Sequence, residues 1–266
     1  MRLRFVRNTA VYNKIRSMVP AKKRRYIRDL TQNFKVIIKT PITEFKRKEQ
    51  ILVFHHLPKC GGNTVRAILN NWYILKDDYS NANSNHLNLS NLKGYHILVG
   101  HFKNKGDHIN ERYGLQFYSG KFKIFTFIRD PLEQRISMYY FLKSRKYDFI
   151  KDLSLREYLF ERPFENNYLA LCLNVNNNNY ENFLDNNYFF IGLTEQLEDS
   201  LQKLSGILKK KINKDLVPRL KVTGRDKQYE SLSGTEINAF RQANILDYNL
   251  YNYCTNRFGT DTGNNF

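Results

Sequence analysis

Short apolar runs, each followed by a loop and an amphipathic stretch, limit the folds open to this chain. Ile51–Phe54 is one such run, and Asn63–Trp72 behind it carries apolar residues at helical spacing. The pattern recurs, with strands expected at Tyr95–Val99, Lys123–Ile128 and Phe189–Gly192 and helices over Pro131–Lys143, Glu195–Leu208 and Glu236–Phe258. Continuous apolar runs suit strands buried on both faces, and helices between them provide parallel crossovers. The sequence therefore predicts an α/β fold with a central, mainly parallel sheet flanked by helices.

Two Asn-rich stretches interrupt this pattern. Residues 77–93 are polar, and Asn174–Asn187 contains a run of asparagines. Asparagine favours turns over regular structure, so both stretches are predicted to be surface loops.

Positive charge is concentrated at the start of the chain. Residues 1–50 contain 15 Lys and Arg against 3 acidic residues, and the rest contains 28 against 22. We therefore divide the chain into a basic, helical segment at 1–50 and a domain at 51–260. Val11–Val19 and Ala21–Leu30 are the expected helices of the first part. It could be a solvated arm packed on the domain, or it could attach peripherally to an acidic membrane surface.

The cysteine pattern bears on the compartment. Cys60, Cys172 and Cys254 are far apart and lack CxxC spacing, which argues against a disulfide framework and a zinc site. The sequence also has no apolar run near the ~20 residues that span a bilayer and no apolar signal region. The expectation is a cytoplasmic protein in a reducing environment.

A first chemical motif joins the strand at Ile51–Phe54 to its helix. Gly61 and Gly62 allow backbone N–H groups to turn toward a ligand, and Lys59 adds a positive charge. The following helix begins at the same point, where Asn63 or Thr64 could cap it. This combination suits an anion such as a phosphate, although a purely structural tight turn remains open.

A second motif places Arg129 at the end of the strand Lys123–Ile128. Asp130 is suited to cap the next helix, and Pro131 to its first position. Ligands of open α/β sheets bind at this edge, so Arg129 could hold a phosphate with Ser137 as a second donor. Alternatively, Arg129 pairs with a local acid and Ser137 is an ordinary helix residue.

Together, the two motifs resemble those of sulfotransferases that use 3′-phosphoadenosine-5′-phosphosulfate (PAPS). The similarity is to the carbohydrate branch, with the uronyl and heparan 2-O-sulfotransferases and bacterial relatives. Its P-K-T-G-G-T-S motif compares with Pro58–Thr64, and its R-D-P-x-E-R-x-x-S motif with Arg129–Ser137. Further similarity lies in Gly100-His101, Asn167, Ile191–Gln196 with Ser200, and Asp247 with Leu250, Tyr251 and Phe258.

The chain also departs from the family pattern. Cys60 and Asn63 replace threonines, Gln134 stands where arginine is usual, and Lys221 falls near a usual asparagine. These changes bear on donor affinity and rate more than on the reaction class.

The resemblance implies a P-loop-like sulfotransferase fold, PAPS as donor, no metal and a carbohydrate acceptor. Lys59 would stabilise the leaving phosphate, and His101 would be the base that accepts the proton of the acceptor. The residues implied to bind the donor are Lys59, Cys60, Gly61, Gly62, Asn63, Thr64, Arg129 and Ser137.

Two other histidines lie beside the loop. His55 or His56 could assist catalysis, but packing or hydrogen bonding at the strand end is the simpler interpretation. The heparan member has a second histidine two residues before the base. Val99 stands there in this chain, so a second imidazole beside His101 is not expected.

Three other function classes remain open. A P-loop kinase would place Lys after the glycines and would need a Mg²⁺-binding Asp, neither of which is recognisable here. A nucleic-acid-binding protein would explain the charge, but no binding motif accompanies it, and no nucleic-acid partner is expected. A nucleotide-binding or acidic-glycan-binding protein without catalysis is the third.

Overall fold

The computed structural model describes residues 20–40, 50–79, 87–102, 107–161, 165–212 and 232–259. Within these ranges one sheet contains five strands: β1 (Ile51–His55), β2 (Ile74–Asp78), β3 (His96–Gly100), β4 (Phe122–Ile128) and β5 (Tyr188–Leu193). Their order is β2-β3-β1-β4-β5, and every neighbouring pair is parallel. The predicted α/β class, with a parallel sheet flanked by helices, is confirmed.

Helices connect and cover these strands. The α-helices are α1 (Ala21–Lys39), α2 (Gly62–Trp72), α3 (Ile109–Tyr113), α4 (Leu115–Tyr118), α5 (Pro131–Ser144), α6 (Tyr168–Leu173), α7 (Tyr180–Asn187), α8 (Leu197–Ile207), α9 (Gly234–Ala243) and α10 (Ile245–Cys254). A 3₁₀ turn covers Leu89–Asn91, and π-helical turns cover Glu157–Glu161 and Thr255–Gly259.

The sheet is buried on both faces because its strands alternate between two apolar clusters. Ile51 and Val53 of β1 belong to one cluster, and Leu52 and Phe54 belong to the other. The second cluster includes the stripe of α2 that was predicted from the sequence. This double burial explains why the strands read as continuous apolar runs.

The strand order brings the two motifs to one edge of the sheet. β1 lies in the middle, paired with β3 on one side and β4 on the other. The chain leaves β1 toward β2 and β3, and then crosses to β4 on the opposite side. The carboxyl end of β1 is therefore a topological switch point, where open α/β sheets bind ligands.

Most predicted elements are confirmed to within a few residues, but three predictions were wrong. Asn174–Asn187 is not all loop, because α7 covers its second half. Glu236–Phe258 is not one helix, since α9 and α10 are separated at Asn244. Asp77 and Asp78, assigned to a loop, end the strand β2.

Two of these errors, those at β2 and α7, share a physical cause. β2 contains Lys76, Asp77 and Asp78, and as an edge strand it needs fewer apolar residues than the strands inside the sheet. In α7, the fully buried Leu184 and the partly buried Tyr180 and Phe183 anchor a helix whose other residues are polar. Tertiary contacts therefore outweigh local propensity in both elements.

The basic segment is described only in part. α1 extends the predicted helix Ala21–Leu30 to Lys39, and it contacts α2. The predicted helix Val11–Val19 and residues 41–49 lie outside the described residues. The division at residue 50 therefore stays a prediction. Across the described ranges, no helix has both the length and the apolar character to cross a bilayer.

Candidate functional site

The loop after β1 has a backbone shape that exposes amide groups. Lys59 and Gly61 both have left-handed φ angles, 65° and 72°. Glycine adopts this conformation without penalty, whereas for lysine it costs about 1 kcal/mol. Among the described residues, the N–H groups of Gly61, Gly62 and Asn63 donate to no protein acceptor. With the positive end of α2 behind them, these amides suit an anion.

Gly62 is required for steric reasons. A Cβ atom there would lie 1.8 Å from Nε2 of His56, far inside contact distance. The imidazole of His56 therefore packs directly on the first residue of α2. This contact places a histidine beside the amide cradle.

Other residues hold the loop from behind. Gln134 is buried in α5 and donates from Nε2 to the carbonyl of Pro58 at 3.0 Å. The thiol of Cys60 is 1% exposed and donates to the same carbonyl. Cys60 was predicted to bind the donor, but its side chain lies in the core, and burial raises the pKa of its thiol. Any contact from Cys60 to a ligand would therefore come from its main chain.

The remaining loop residues differ in accessibility. Asn63 is exposed, whereas Thr64 is buried, and both stand in the first turn of α2. Neither side chain caps the helix, because the cap position belongs to Gly61. Asn63 is therefore the more accessible of the two to a ligand.

Lys59 is half-buried beside the cradle. Its Nζ lies 4.5 Å from the centre of the Phe141 ring, a cation–π distance. Burial lowers the pKa of Lys59, and the charge of Arg129 lowers it further. A partly desolvated ammonium next to unpaired amides favours a polyanion at this point.

Arg129 lies at the end of β4 next to the loop. Its Nη1 is 3.5 Å from the carbonyl oxygen of Lys59, and its Nη2 donates to Glu133 at 3.0 Å. The alternative interpretation of a local acid partner is therefore present in the structure. Ser137 lies one turn beyond Glu133 on the same side of α5 and is partly buried. In the described part of the chain, no hydrogen bond joins it to Arg129.

The second motif is braced by β5 and the loop after it. Asp130 caps α5 as predicted, accepting from the N–H of Glu133 at 3.0 Å. Its own N–H donates to Glu195 at 3.0 Å, and the Thr194 hydroxyl donates to the carbonyl of Ile128 at 2.7 Å. The segment Ile191–Gln196 therefore holds the arginine loop in place.

His101 follows β3 and faces the same edge. Its Nε2 lies 3.1 Å from Nδ1 of His56, with ring centres 4.5 Å apart. A second imidazole beside His101 was not expected, because Val99 stands at the position known from the heparan member. That expectation was wrong, since His56, the first residue after β1, supplies the imidazole. Sequence spacing could not reveal the contact, because the two histidines follow two different strands.

His55 has a different role. It is buried at 2% exposure, and its Nδ1 is 2.8 Å from the hydroxyl of Tyr188. Burial lowers its pKa to about 3, with further contributions from His101 and His108. The packing interpretation therefore fits His55, whereas His56 touches both the cradle and His101.

Two observations complete the site. Within the ranges that the structure describes, no group of His, Cys, Asp or Glu residues has the arrangement of a metal site. Lys221, noted as a departure from the family pattern, lies outside those ranges.

Comparisons with known proteins do not establish a family. No protein-family model matches the chain, and no curated protein sequence matches it. Among solved structures, it is similar to mouse sulfotransferase SULT7A1 complexed with PAP, with a TM-score of 0.42 and 14% identity. That match covers 66% of this chain and 64% of the mouse chain, so less than two thirds of the latter is spanned.

It is also similar to a sulfotransferase from Alicyclobacillus acidocaldarius, with a TM-score of 0.47 and 10% identity. This match covers 80% of this chain and 97% of the bacterial one. Both structural neighbours are sulfotransferases. At these TM-scores and identities, no residue role is transferred from them.

Proposed function

We propose that this chain transfers a sulfuryl group from PAPS to a hydroxyl group of a carbohydrate. The observation that carries the proposal is the meeting of two sequence motifs. Arg129 and Lys59 are 70 residues apart in sequence, yet the Arg129 guanidinium lies 3.5 Å from the Lys59 carbonyl. Two cations beside unpaired amides suit a donor with two separate phosphates.

The donor would bind across both motifs. The amides of Gly61, Gly62 and Asn63 would hold the 5′-phosphate, with Thr64 beside them at the start of α2. Arg129 would turn from Glu133 to the 3′-phosphate, and Ser137 would add a hydroxyl. The Arg129–Glu133 pair is partly exposed, so breaking it costs little.

The proposed reaction assigns one step to each of these residues. The acceptor oxygen attacks sulfur, the bond between sulfur and the 5′-phosphate oxygen breaks, and 3′,5′-adenosine bisphosphate (PAP) leaves. His101 takes the proton of the acceptor hydroxyl, and Lys59 stabilises the charge that develops on the leaving oxygen. The transition state of such an in-line transfer is loose, as in phosphoryl transfer, so positioning and charge provide most of the catalysis.

The carbohydrate acceptor rests on the resemblance to the carbohydrate branch and on the positive charge of the chain. A positively charged surface attracts acidic polysaccharides. The cytoplasmic location expected from the sequence stays a prediction.

The first test is calorimetric binding of PAP and of 5′-AMP to the wild type, Lys59→Ala and Arg129→Ala. We expect micromolar binding of PAP, at least tenfold weaker binding of 5′-AMP, and loss of that preference in Arg129→Ala. Arg257→Ala is the matched control, because Arg257 pairs with Asp185 outside this site.

The contrary result would be equal binding of PAP and 5′-AMP, or no binding of either. A non-catalytic glycan-binding or nucleic-acid-binding function would then become the better explanation. PAP binding without PAP release from PAPS, across a panel of polysaccharides, would favour a nucleotide-binding protein that lacks catalysis.

A further inference from the structure

A series of hydrogen-bonded side chains connects α2 with His101. Asp77 of β2 binds Arg66 of α2 through two hydrogen bonds of 2.6 and 3.1 Å. Arg66 donates to the hydroxyl of Tyr79 at 2.7 Å, and that hydroxyl lies 2.9 Å from Nδ1 of His56. The same nitrogen is 3.1 Å from Nε2 of His101. The helix that starts at the anion cradle is therefore connected to the proposed base.

The end of β2 orients the side chains of this series. Asp77 and Tyr79 are two residues apart, so both project to the side of α2. Asp78 projects the other way and is buried against Arg112 at 2.6 Å. A buried ion pair at that position holds the strand end in one orientation, and with it the two residues that flank Asp78.

Hydrogen-bond chemistry limits where the protons lie. Arginine only donates, so the Tyr79 oxygen accepts from Arg66, and we assign the Tyr79 hydrogen to its contact with Nδ1 of His56. The proton of neutral His56 is then on Nε2, and its Nδ1 is an acceptor. With Nδ1 of His56 as the acceptor, Nε2 of His101 carries the hydrogen of the contact between the two imidazoles, and the single lone pair of His56 is shared with the Tyr79 hydrogen in a three-centre hydrogen bond. These tautomers are assigned from the network.

The surroundings of His56 keep it neutral. Burial, together with the charges of His101, Arg66, His55 and Lys59, lowers the pKa of His56 to about 3. Tyr79 keeps its hydrogen because burial raises its pKa to about 12. Phe54 stacks on the His56 ring at 5.4 Å and fixes its plane.

We propose that His56, oriented by Tyr79 and Arg66, positions His101 for catalysis. It accepts a hydrogen bond from Nε2–H of His101 and so leaves the lone pair of His101 on Nδ1. When that nitrogen takes the acceptor proton, His56 stabilises the resulting imidazolium. The role of His56 is positioning, since it acts through His101, and the idea rests on the proposed sulfuryl transfer.

The test compares His56→Leu with His56→Asn. Leucine removes the acceptor, whereas the asparagine carbonyl can replace Nδ1. For His56→Leu we expect kcat to fall on the order of 10-fold, with PAP affinity within about twofold of wild type. Because the imidazolium loses its acceptor, the acidic limb of the kcat profile should move to lower pH. His56→Asn should recover most of both effects.

A measurement without turnover separates this proposal from the proposed function. Nitrogen-15 NMR of the histidines in the free protein should show the Nε2–H tautomer for His101 in the wild type and a lower pKa of that ring in His56→Leu. A wild-type pH profile in His56→Leu, or the Nδ1–H tautomer of His101, would overturn the proposal. Failure to bind PAP would overturn the sulfotransferase assignment alone.

A second, independent observation concerns α1. The four residues Tyr26, Leu30, Phe34 and Ile38 are four positions apart, and their side chains are 63, 50, 64 and 67% exposed. At helical spacing they form one apolar stripe along a helix of about 28 Å. Exposed apolar patches of this kind mark interaction surfaces.

The opposite side of α1 holds the helix on the protein. Val36 is 4% exposed, and Gln32 donates to the carbonyl of Asn70 on α2 at 2.9 Å. The stripe therefore points away from the protein body in a helix that is already anchored.

The positive charge of α1 and of residues 1–50 indicates which kind of partner the apolar stripe contacts. Exposed Lys23 lies on the same side of α1 as the stripe. Arg28, Lys35 and Lys39 are also exposed, but Lys35 and Lys39 line the cavity between α1 and α2 on the other side of the helix. Residues 1–50 as a whole carry 15 Lys and Arg against 3 acidic residues. We infer that α1 docks on the surface of an anionic phospholipid membrane, where apolar side chains enter the interface and basic residues contact lipid phosphates.

Sedimentation with vesicles tests this docking. The full chain should bind vesicles of phosphatidylcholine with phosphatidylglycerol, bind pure phosphatidylcholine at least tenfold less, and lose binding at high salt. The double variant Phe34→Ser/Ile38→Ser should lose most of the binding. Leu115→Ser is the matched control, because Leu115 is 87% exposed on α4.

Equal sedimentation of the double variant and wild type would overturn the docking. So would concentration-dependent dimers that the double variant abolishes, since a second copy would then cover the stripe. A gain in vesicle binding on deleting residues 1–19 would show that the chain covers the stripe itself, which would also contradict the proposal.

Discussion

The side chains of Asn167 and Asp247 each accept hydrogen bonds from backbone N–H groups at the start of the other's helix. The side-chain oxygen of Asn167 accepts from the N–H groups of Leu246 and Asp247 at the start of α10, at 3.0 and 3.2 Å. The carboxylate of Asp247 accepts from Leu169 and Ala170 at the start of α6, at 3.0 and 2.8 Å. Reciprocal capping joins two helices that are about 80 residues apart in sequence.

Removing this carboxylate should destabilise the fold. Asp247→Ala leaves two buried N–H groups without an acceptor, each costing about 1–3 kcal/mol. We expect a loss of about 2–6 kcal/mol in the free energy of unfolding, measured with urea. The matched control is Asp148→Ala, since the Asp148 side chain is 97% exposed. Equal stability of the two variants would show that the caps contribute nothing.

Asp247 should also make stability depend on pH. Burial raises its pKa to about 6 from 3.8, although N–H bonds and Arg135 oppose the shift. The folded chain then holds a proton that the unfolded chain releases, so stability falls as pH rises from about 4 to about 6. A difference of about two pKa units limits this change in the free energy of unfolding to about 3 kcal/mol. Urea unfolding of the wild type and Asp247→Asn between pH 4 and 8 should diverge in this window. A constant difference would contradict the shift.

Gly62→Ala should damage the anion cradle without unfolding the protein. The added Cβ would sit 1.8 Å from Nε2 of His56, so the imidazole or the loop must move. We expect PAP affinity to fall at least tenfold and kcat to fall with it, measured by calorimetry and PAP release. Gly206→Ala in α8 is the control, because a Cβ there meets no atom within 4 Å. Unchanged PAP affinity in Gly62→Ala would mean that the cradle does not hold the donor.

Lys59→Met should separate binding from chemistry. Methionine keeps most of the side-chain length and can pack on Phe141, but it removes the charge that we propose to stabilise the leaving oxygen. Since transition-state charge is affected more than ground-state charge, kcat should fall on the order of 100-fold and PAP affinity less than tenfold. Lys123→Met is the control, because Lys123 also stacks on an aromatic ring, that of Phe189 at 4.8 Å. Equal losses in affinity and kcat would assign Lys59 to binding alone.

Much of the fold was predictable because its signals are local. The double burial of β1 and β4 is visible as apolar runs, and the stripe of α2 as helical spacing. Asp130 at the N-cap and Pro131 at the first helical position indicate the start of α5. β2 and α7 were missed because their stability comes from neighbours rather than from their own residues.

The sequence alone determined the α/β class and the candidate residues Lys59 and Arg129, because turn chemistry and strand ends are local properties, and the resemblance of its motifs to a family added His101. Only the tertiary structure decided which side chains meet. In the folded protein the Cys60 side chain lies in the core, Arg129 pairs with Glu133, and His56 contacts His101. The reason is that β1, β3 and β4 are separate in sequence but adjacent in the sheet, and contacts across parallel strands follow from strand order rather than from spacing along the chain.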